Sequence, residues 1–193
     1  MKKIEPIIFR KGKRVHLCIV LKAYLPSITK WINDPEVTQY LGSYLPQYEK
    51  NEEQWLERLA EKKNTDMVFA IVTKNGEVIG VMGLHQINSK DGTATTGALI
   101  GEKRFWGKGY GSEAKMLLLD YAFNALNLRK ICSAALAFNG RSVRYSKKCG
   151  YEEEGVRKAQ FYKDGAYHDE ILLAVFRDQW LPLWKRFQKS RKF

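Results

Sequence analysis

A glycine-rich segment directly before a strongly periodic helix constrains the fold of this chain more than any other feature. Three glycines lie within five residues, at Gly107, Gly109 and Gly111. Each glycine loses more backbone entropy on folding than another residue would, and an ordinary connection does not require three of them. Apolar residues recur at helical spacing from Gly111 to Leu126, so the glycines lie at a helix N-terminus. Backbone N–H groups and the helix dipole favour an anion there. The segment either only turns the chain tightly or, as we interpret it, holds a phosphate or pyrophosphate.

The spacing of these glycines excludes two common nucleotide-binding loops. The pattern is G-x-G-x-G, which is neither the G-x-x-x-x-G-K-[ST] of P-loop enzymes nor the G-x-G-x-x-G of dinucleotide-binding folds. It also lies in mid-chain, after a hairpin signal at Asn75-Gly76, whereas the dinucleotide motif occupies the first βα turn of its fold. The anion-binding segment therefore belongs to another kind of fold.

The order of the predicted elements favours a mixed α+β fold. Asn75-Gly76 and Asp164-Gly165 are hairpin signals, each between two runs of strand character. The predicted strands are 14–21, 67–73, 77–87, 94–100, 130–137, 156–162 and 167–176, and the predicted helices are 25–32, 52–62, 111–126, 141–148 and one at the C-terminal end. An antiparallel meander thus precedes a βαβ-like portion. Because no linker divides the chain, we expect one domain over residues 1–193 with a basic helix and tail at about 177–193.

Charge and cysteine content narrow the expected partners and compartment. The chain has 33 basic and 21 acidic residues, a net charge of +12, which suits nucleic acid, a membrane surface or a small polyanion, or serves only solubility. No nucleic-acid-binding motif or long apolar run accompanies the charge, so we expect no specific nucleic acid and no membrane as partner. Cys18, Cys132 and Cys149 form no C-x-x-C pair and no leader sequence opens the chain. We therefore expect a cytoplasmic protein without a metal site.

Two motifs in register carry a resemblance to one enzyme family. Residues 101–114, GEKRFWGKGYGSEA, and residues 139–151, NGRSVRYSKKCGY, resemble the pyrophosphate loop and the following N-x-x-S segment of the GNAT superfamily of acyl-CoA N-acyltransferases. Stretches at 31–37 and 162–169 are similar to the branch of ribosomal-protein and spermidine acetyltransferases. The resemblance extends over about residues 10–180.

The resemblance implies where acetyl-CoA, as co-substrate, is bound. A twisted mixed sheet of about seven strands, flanked by helices on both faces, is expected to splay between parallel strands 94–100 and 130–137. Backbone groups of one splayed strand would bind the pantetheine arm. The amides of the glycine-rich loop would bind the diphosphate, and an asparagine would bind an amide of the pantetheine. The implied cofactor contacts are Leu99, Ile100, Trp106, Gly107, Lys108, Gly109, Tyr110, Gly111, Ser112, Asn139 and Arg144, and Lys103, Arg104 and Arg141 are further cations expected to face the phosphates.

The catalytic residues implied by the resemblance are partly displaced in this chain. Many relatives place a tyrosine seven residues after the motif asparagine as the general acid. That position is Ser146 here, and the tyrosine lies one residue earlier, at Tyr145. Successive side chains of a helix point about 100° apart around its axis, so Tyr145 points in a different direction from a tyrosine at position 146. The ribosomal-protein branch uses a serine three residues after the asparagine, which is Ser142 here. Ser142 is also suited to capping a helix, so both roles stay open.

The general base is not fixed by the resemblance. The two positions at which relatives carry a glutamate are Thr95 and Phe161 here, so neither base is present. His85, on the strand after Asn75-Gly76, is a candidate proton relay because histidine exchanges protons near neutral pH. A satisfied structural histidine is the alternative, and an ordered water chain is another route for the proton.

The acceptor region is expected in the early helices and the last hairpin. Trp31 and Tyr40, together with Tyr44 and Tyr48, are candidates for the walls of an acceptor channel. Asp169, with Glu170 beside it, either binds a cationic acceptor or braces the backbone.

These observations predict an acetyl-CoA-dependent N-acetyltransferase that moves the acetyl group directly to a primary amine. The acceptor is open between a protein N-terminus and a small amino compound; the positive net charge disfavours polyamines unless a local acidic pocket overrides it. Transfer of a longer acyl group and a non-catalytic acyl-CoA sensor are the alternatives. A monomer or homodimer is expected.

Overall fold

The chain forms one mixed sheet covered by helices, in a computed structural model that describes residues 5–42, 45–61 and 65–190. Its strands are β1 (Ile8–Lys11), β2 (Val15–Ile19), β3 (Met67–Thr73), β4 (Val78–Asn88), β5 (Thr93–Ile100), β6 (Lys130–Leu136), β7 (Glu152–Lys163) and β8 (Ala166–Phe176). Its α-helices are α1 (Leu25–Ile32), α2 (Pro35–Thr38), α3 (Glu49–Glu61), α4 (Tyr110–Asp120), α5 (Gly140–Lys148) and α6 (Arg177–Lys189). The predicted α+β class is confirmed.

The described part of the sheet has eight strands, one more than the sequence predicted. The additional strand is β1, which pairs antiparallel with β2 through Ile8 opposite Cys18 and Lys11 opposite His16. Its sequence, Ile-Phe-Arg-Lys, is four residues long and lacks polar–apolar alternation, so periodicity does not mark it as a strand. The strand order is β1-β2-β3-β4-β5-β6-β8-β7.

The sheet opens at its parallel pair, as the resemblance implied. β5 and β6 pair through residues 93–95 and 130–132, and no pair joins them beyond that point. Residues 96–100 remain paired with β4 on their other side, and residues 133–136 remain paired with β8. The two halves of the sheet therefore diverge and leave a V-shaped cleft between β5 and β6.

Helices cover both faces of the sheet. On one face α4 and α6 contribute Leu118 and Trp180 to the larger core, and both side chains are fully buried. On the other face α1 packs Ile28 and Trp31 against the buried Ala70 of β3, with α3 beside it. The apolar stripe of the C-terminal helix thus packs on the core, as its periodicity indicated.

Among the element boundaries that differ from the sequence prediction, two have a clear physical reason. The predicted strand 14–21 begins only at Val15, because the Arg14 N–H and guanidinium both bind the Glu113 carboxylate. The predicted helix 111–126 is α-helical to Asp120 and continues as a π-helical turn over Tyr121–Ala125. Within the described residues, no helix combines the length and the apolar character that a bilayer span requires.

Candidate active site

The cleft between β5 and β6 is a cavity of about 690 Å³. Because no strand pairs with residues 96–100 on the β6 side, their outward backbone groups are available to an extended ligand, as an added strand would use them. The cleft is lined by β5, the loop after β5, the start of α4, β6 and α5. Of the implied cofactor contacts, those that line it are Leu99, Ile100, Trp106, Gly107, Gly109, Gly111, Ser112, Asn139 and Arg144.

The glycine-rich loop forms the end of the cleft at the N-terminus of α4. Gly107 has a φ of 72° and Gly109 a φ of 83°, in the left-handed region that residues with a side chain rarely adopt. Gly109 is the N-cap residue of α4, and Tyr110 begins the helix. The first N–H groups of α4 have no acceptor within their own helix, which makes this end suited to an anion.

Arg14 holds the glycine-rich loop from the side of β2. Its guanidinium donates to the carbonyl oxygens of Lys108, at 2.9 Å, and Gly109, at 3.1 Å, and its Nε donates to Glu113 Oε2 at 2.9 Å. The C=O and N–H of a trans peptide point in opposite directions. By fixing these two carbonyls, Arg14 therefore turns the N–H groups of Gly109 and Tyr110 to the opposite side of the loop.

This clamp was not predicted from the sequence. Arg14 and Glu113 lie 99 residues apart. Glu113 falls within the motif at residues 101–114, but Arg14 belongs to no motif. Glu113 is 1% exposed, and a carboxylate on the buried face of a helix is the one signal that indicates a buried partner.

Asn139 joins the cleft to the N-terminus of α5. Its side-chain oxygen accepts from the Ser142 N–H at 3.1 Å, so Asn139 caps α5 while it lines the cleft. Ser142 and Tyr145 line the same wall. The structure therefore brings the motif asparagine and two of the candidate catalytic hydroxyls to one side of the cleft.

Ser146 lies elsewhere, and its prediction as a residue facing the reaction is wrong. Its side chain is fully buried behind the cleft, where Lys115 Nζ donates to its hydroxyl at 3.4 Å. Neighbouring side chains on a helix point in directions about 100° apart, so Tyr145 faces the cleft while Ser146 faces the core. Burial raises the pKa of the Tyr145 phenol, so it stays protonated and can donate a hydrogen bond.

Lys115 is buried beneath the cleft without a carboxylate partner among the described residues. Its Nζ lies 4.4 Å from the ring centre of Tyr145 and 4.6 Å from that of Tyr151, and its side chain is 1% exposed. Burial lowers its pKa to about 8. Tyr151 in turn shares a hydrogen bond of 2.9 Å with Thr96, which lies on the cleft floor where β5 and β6 part.

Basic and aromatic side chains stack at the mouth of the cleft. Trp106 donates its indole N–H to the carbonyl oxygen of Ile100 at 2.6 Å, which anchors the loop to the end of β5. The Arg141 guanidinium lies 3.9 Å from the ring centre of Trp106 and 4.8 Å from that of Tyr40. Tyr40 and Arg141 both line the cleft, so Tyr40 is available to a ligand as predicted.

Four residues that were predicted to contact the cofactor or its phosphates do not line the cleft. Lys103 pairs with Asp34 and Glu36, and Arg104 pairs with Glu77. Neither the Lys108 nor the Tyr110 side chain lines the cleft, and the Tyr110 ring packs against Phe105 and Arg14 instead. For Lys108 and Tyr110, the backbone N–H groups remain the possible contacts.

A second cavity, of about 410 Å³, lies between the helices α1 and α3 and the face of β4 and β5 that these helices cover. It shares Leu41, Gly97, Ala98 and Leu99 with the cleft, so the two meet along β5. We call it the side cavity. Local patterns in the sequence contain no signal for this cavity, because its walls come from segments far apart in the chain.

His85 lies in the side cavity rather than in the cleft. Its Nδ1 is 3.3 Å from Asp66 Oδ1, and its ring lies over two glycines: a Cβ added to Gly83 would come within 3.0 Å of Nε2, and one added to Gly97 within 3.2 Å. The absence of side chains on these two residues therefore makes room for the imidazole. Its Nε2 borders the wall that the side cavity shares with the cleft.

Two predicted acceptor contacts lie outside both cavities. Trp31 is 2% exposed and donates its indole N–H to Glu102 at 3.0 Å, and its ring packs so closely on Gly101 that a Cβ there would collide with it. Asp169 accepts from the Ala159 N–H at 2.9 Å and pairs with Lys158, so it braces an irregularity of β7. The prediction of direct acceptor contact is wrong for Trp31, and of the two roles left open for Asp169 the contacts are those of the residue that braces the backbone.

The other candidates for acceptor contact are not all in the cleft. Glu170, 8% exposed, lines the cleft and pairs with Arg157. Tyr48 is exposed, and Tyr44 lies outside the described residues. Across the described ranges, no three His, Cys, Asp or Glu side chains are grouped so that they could hold a metal ion.

Comparison with known proteins agrees with this geometry. The family model of the acetyltransferase (GNAT) domain matches residues 15–152. An uncharacterized N-acetyltransferase, p20 of Bacillus licheniformis, is 27% identical over 79% of this chain and 87% of its own length. The spermidine N(1)-acetyltransferase of Escherichia coli K12 is 30% identical over 58% of this chain and 59% of its own length.

Solved structures show the same fold. The spermidine N-acetyltransferase from Vibrio cholerae, in complex with CoA and spermine, superposes with a TM-score of 0.82 at 23% identity, over 88% of this chain and 99% of that one. A GNAT-family acetyltransferase from Bacillus anthracis gives a TM-score of 0.77 at 20% identity, over 89% and 99%. Enzymes of this family use acetyl-CoA as the acyl donor. With the matching family model and the cleft between β5 and β6, these findings show that the chain belongs to the GNAT family of N-acetyltransferases.

Proposed function

We propose that this enzyme transfers the acetyl group of acetyl-CoA directly to a primary amine, with the donor in the cleft and the amine in the side cavity. The observation that carries the proposal is the arrangement along β5. The glycine-rich loop opens into the cleft at one end, and the side cavity meets the cleft at residues 97–99. An extended donor along β5 would thus present its thioester where an amine can reach it.

The residues of the cleft bind and orient the donor. The amides from Gly107 to Ser112 hold the diphosphate at the N-terminus of α4, where the helix dipole adds to their hydrogen bonds. Arg141, Arg144 and Lys148 line the cleft and add positive charge toward the phosphates. The unpaired edge of β5 takes the amide groups of the pantetheine arm.

The reaction requires a group that takes a proton from the amine and a hydrogen-bond donor for the sulfur, which departs as the thiolate. The amine nitrogen attacks the thioester carbonyl carbon, an amide bond forms, and the bond between carbon and sulfur breaks to give the CoA thiolate. His85 accepts the proton from nitrogen at Nε2, with Asp66 bonded at Nδ1 to hold the imidazole in place. Tyr145 donates a hydrogen bond to the departing sulfur from the α5 wall, and Ser142 is the second hydroxyl on that wall.

The proposed activity is tested with a panel of primary amines. Purified protein, acetyl-CoA and each amine are incubated, free CoA thiol is followed, and products are identified by mass. We expect thiol release that depends on the amine, together with a product carrying one acetyl group. Longer acyl-CoAs in parallel assays test the preference for acetyl. Binding of acetyl-CoA without thiol release for any amine would favour the alternative of a sensor, for which the described residues offer no specific observation.

The proposed proton path is tested with two variants. We expect His85→Gln to lower kcat at least tenfold and to change its dependence on pH, because glutamine cannot accept the proton. Tyr145→Phe is expected to lower kcat while the pH dependence stays. If Ser142→Ala lowers kcat and Tyr145→Phe does not, Ser142 is the residue that donates the hydrogen bond to the departing sulfur. Wild-type kcat and pH dependence in His85→Gln would exclude His85 as the base.

The compartment is part of the same proposal. The three cysteines are free, and Cys18 and Cys149 are buried. Burial raises the pKa of the Cys149 thiol to about 12 and that of Cys18 to about 11, so both stay protonated. Unpaired thiols suit the reducing cytoplasm that the sequence suggested.

A further inference from the structure

Lys115 of α4 is the one lysine or arginine whose side chain is buried in the described ranges of the chain. The helix around it buries Ala114, Met116 and Leu117, so the ammonium occupies a place where an apolar side chain would pack. A buried ammonium without a carboxylate partner lowers the stability of a fold. Stability is often given up in this way at functional sites, which points to a role for Lys115 other than packing.

The ammonium faces the cleft across the rings of two tyrosines. Its Nζ lies 4.4 Å from the ring centre of Tyr145 and 4.6 Å from that of Tyr151. Tyr145 lines the cleft, and the Tyr151 hydroxyl shares a hydrogen bond with Thr96, which lines it as well. Lys115 itself does not line the cleft. Its positive charge therefore acts on the cleft across these rings and not by contact with a ligand.

The groups around Lys115 do not neutralise its charge. Ser146 accepts a hydrogen bond from Nζ at 3.4 Å, and the titratable groups that face the ammonium are Tyr145, Cys149 and Tyr151. Burial raises the pKa of the Cys149 thiol to about 12 and raises the pKa of both phenols, so all three groups are neutral at pH 7. An uncompensated charge in a buried site acts more strongly on a second charge than it would in water.

We propose that Lys115 is a positioning residue of the transferase reaction, whose ammonium stabilises the negative charge that develops on the CoA sulfur by acting through the ring of Tyr145. This inference rests on the proposed function, because that function places the thioester beside Tyr145. When the bond between carbon and sulfur breaks, its electron pair stays on the sulfur, and Lys115 keeps its proton. A cation over an aromatic ring also draws electron density from it, which makes the Tyr145 hydroxyl a stronger hydrogen-bond donor to that sulfur.

Ligand binding tests this inference without turnover. CoA sulfonic acid, the fully oxidised form of the CoA thiol, carries a permanent negative charge at the sulfur, whereas S-methyl-CoA carries none there. Titration calorimetry at pH 7 gives the affinity of each ligand. We expect the ratio of the two affinities, sulfonic acid over S-methyl-CoA, to be at least about fivefold lower in Lys115→Met than in the wild type. Met116→Leu, at the next buried residue of α4, is the matched control and is expected to keep the wild-type ratio.

The pH dependence of this ratio separates the charge of Lys115 from its shape. Burial lowers the pKa of Lys115 to about 8, so the ammonium is present below that pH and is lost as the pH rises through it. We expect the wild-type ratio to fall from about pH 7 to about pH 10 and to approach that of Lys115→Met, whose ratio stays constant over this range.

Kinetics give a second readout, with the amine that releases thiol fastest in the panel. Lys115→Met is expected to lower kcat at least about fivefold and to leave KM for acetyl-CoA within about twofold, because the charge on sulfur develops only after the donor is bound. An equal affinity ratio in the two proteins would overturn the role of Lys115 and leave the acetyltransferase proposal intact. Failure of the wild type to bind either ligand would instead contradict the placement of the donor, and this inference with it.

Discussion

Gly109→Val is expected to raise the dissociation constant of acetyl-CoA at least tenfold, which corresponds to about 1.4 kcal/mol. Gly109 has a φ of 83° at the N-cap of α4, a conformation that a β-branched residue does not adopt without strain. The variant loop must change its backbone, and the N–H groups of Gly109 and Tyr110 then leave the positions in which Arg14 holds their peptides. Titration calorimetry with acetyl-CoA measures the effect.

The matched control for this variant is Gly165→Val. Gly165 has the same φ of 83° in the turn between β7 and β8, and a Cβ added there meets no atom within 4 Å. Both variants therefore carry a similar backbone strain, but only one carries it beside the proposed diphosphate site. We expect Gly165→Val to be destabilised yet to bind acetyl-CoA like the wild type. Unchanged affinity in a folded Gly109→Val protein would count against the placement of the diphosphate.

Lys115→Met is expected to increase the free energy of unfolding at pH 7 by about 1–3 kcal/mol. Burial lowers the pKa of Lys115 from 10.5 to about 8, and a shift of this size corresponds to roughly 3 kcal/mol of penalty on the protonated folded state. Methionine fills a similar volume without a charge to desolvate. The lost contacts with the rings of Tyr145 and Tyr151 and with Ser146 reduce the gain.

The difference in stability between Lys115→Met and the wild type is expected to depend on pH. Below pH 8 Lys115 is protonated in both states, so the folded wild type bears the full penalty. As the pH rises from about 8 toward 10.5, the folded protein releases the proton first and the penalty disappears. Denaturant unfolding of both proteins at pH 7 and pH 9.5 is therefore expected to show a smaller difference at the higher pH. Lys90→Met, at an exposed loop lysine, is the control and is expected to change stability by less than about 0.5 kcal/mol. A less stable Lys115→Met at pH 7 would contradict the account.

The sequence predicted the parts of the fold that local patterns determine. Asp164-Gly165 specifies a turn through the positive φ of both residues, so the hairpin of β7 and β8 follows from two positions. The glycines at 107 and 109 likewise adopt positive φ at the start of α4. In both places one short segment determines the backbone, and a single sequence is sufficient to find it.

Other features depend on contacts between distant segments. The Arg14–Glu113 pair joins β2 to α4, and the side cavity brings Glu52 of α3 to β4 and β5. No local spacing encodes such pairs, so the clamp and the side cavity were not predicted. The error at Trp31 has the same origin, because an aromatic residue in a helix looks alike whether it faces a ligand or, as here, Gly101.

The most direct test of the central claim is a crystal structure of the protein with CoA supplied at millimolar concentration. The account predicts diphosphate oxygens within about 2.7–3.2 Å of backbone nitrogens between Gly107 and Ser112, and the pantetheine arm along residues 97–100 of β5. CoA bound elsewhere, or no uptake by crystals in which the cleft is open to solvent, would contradict it.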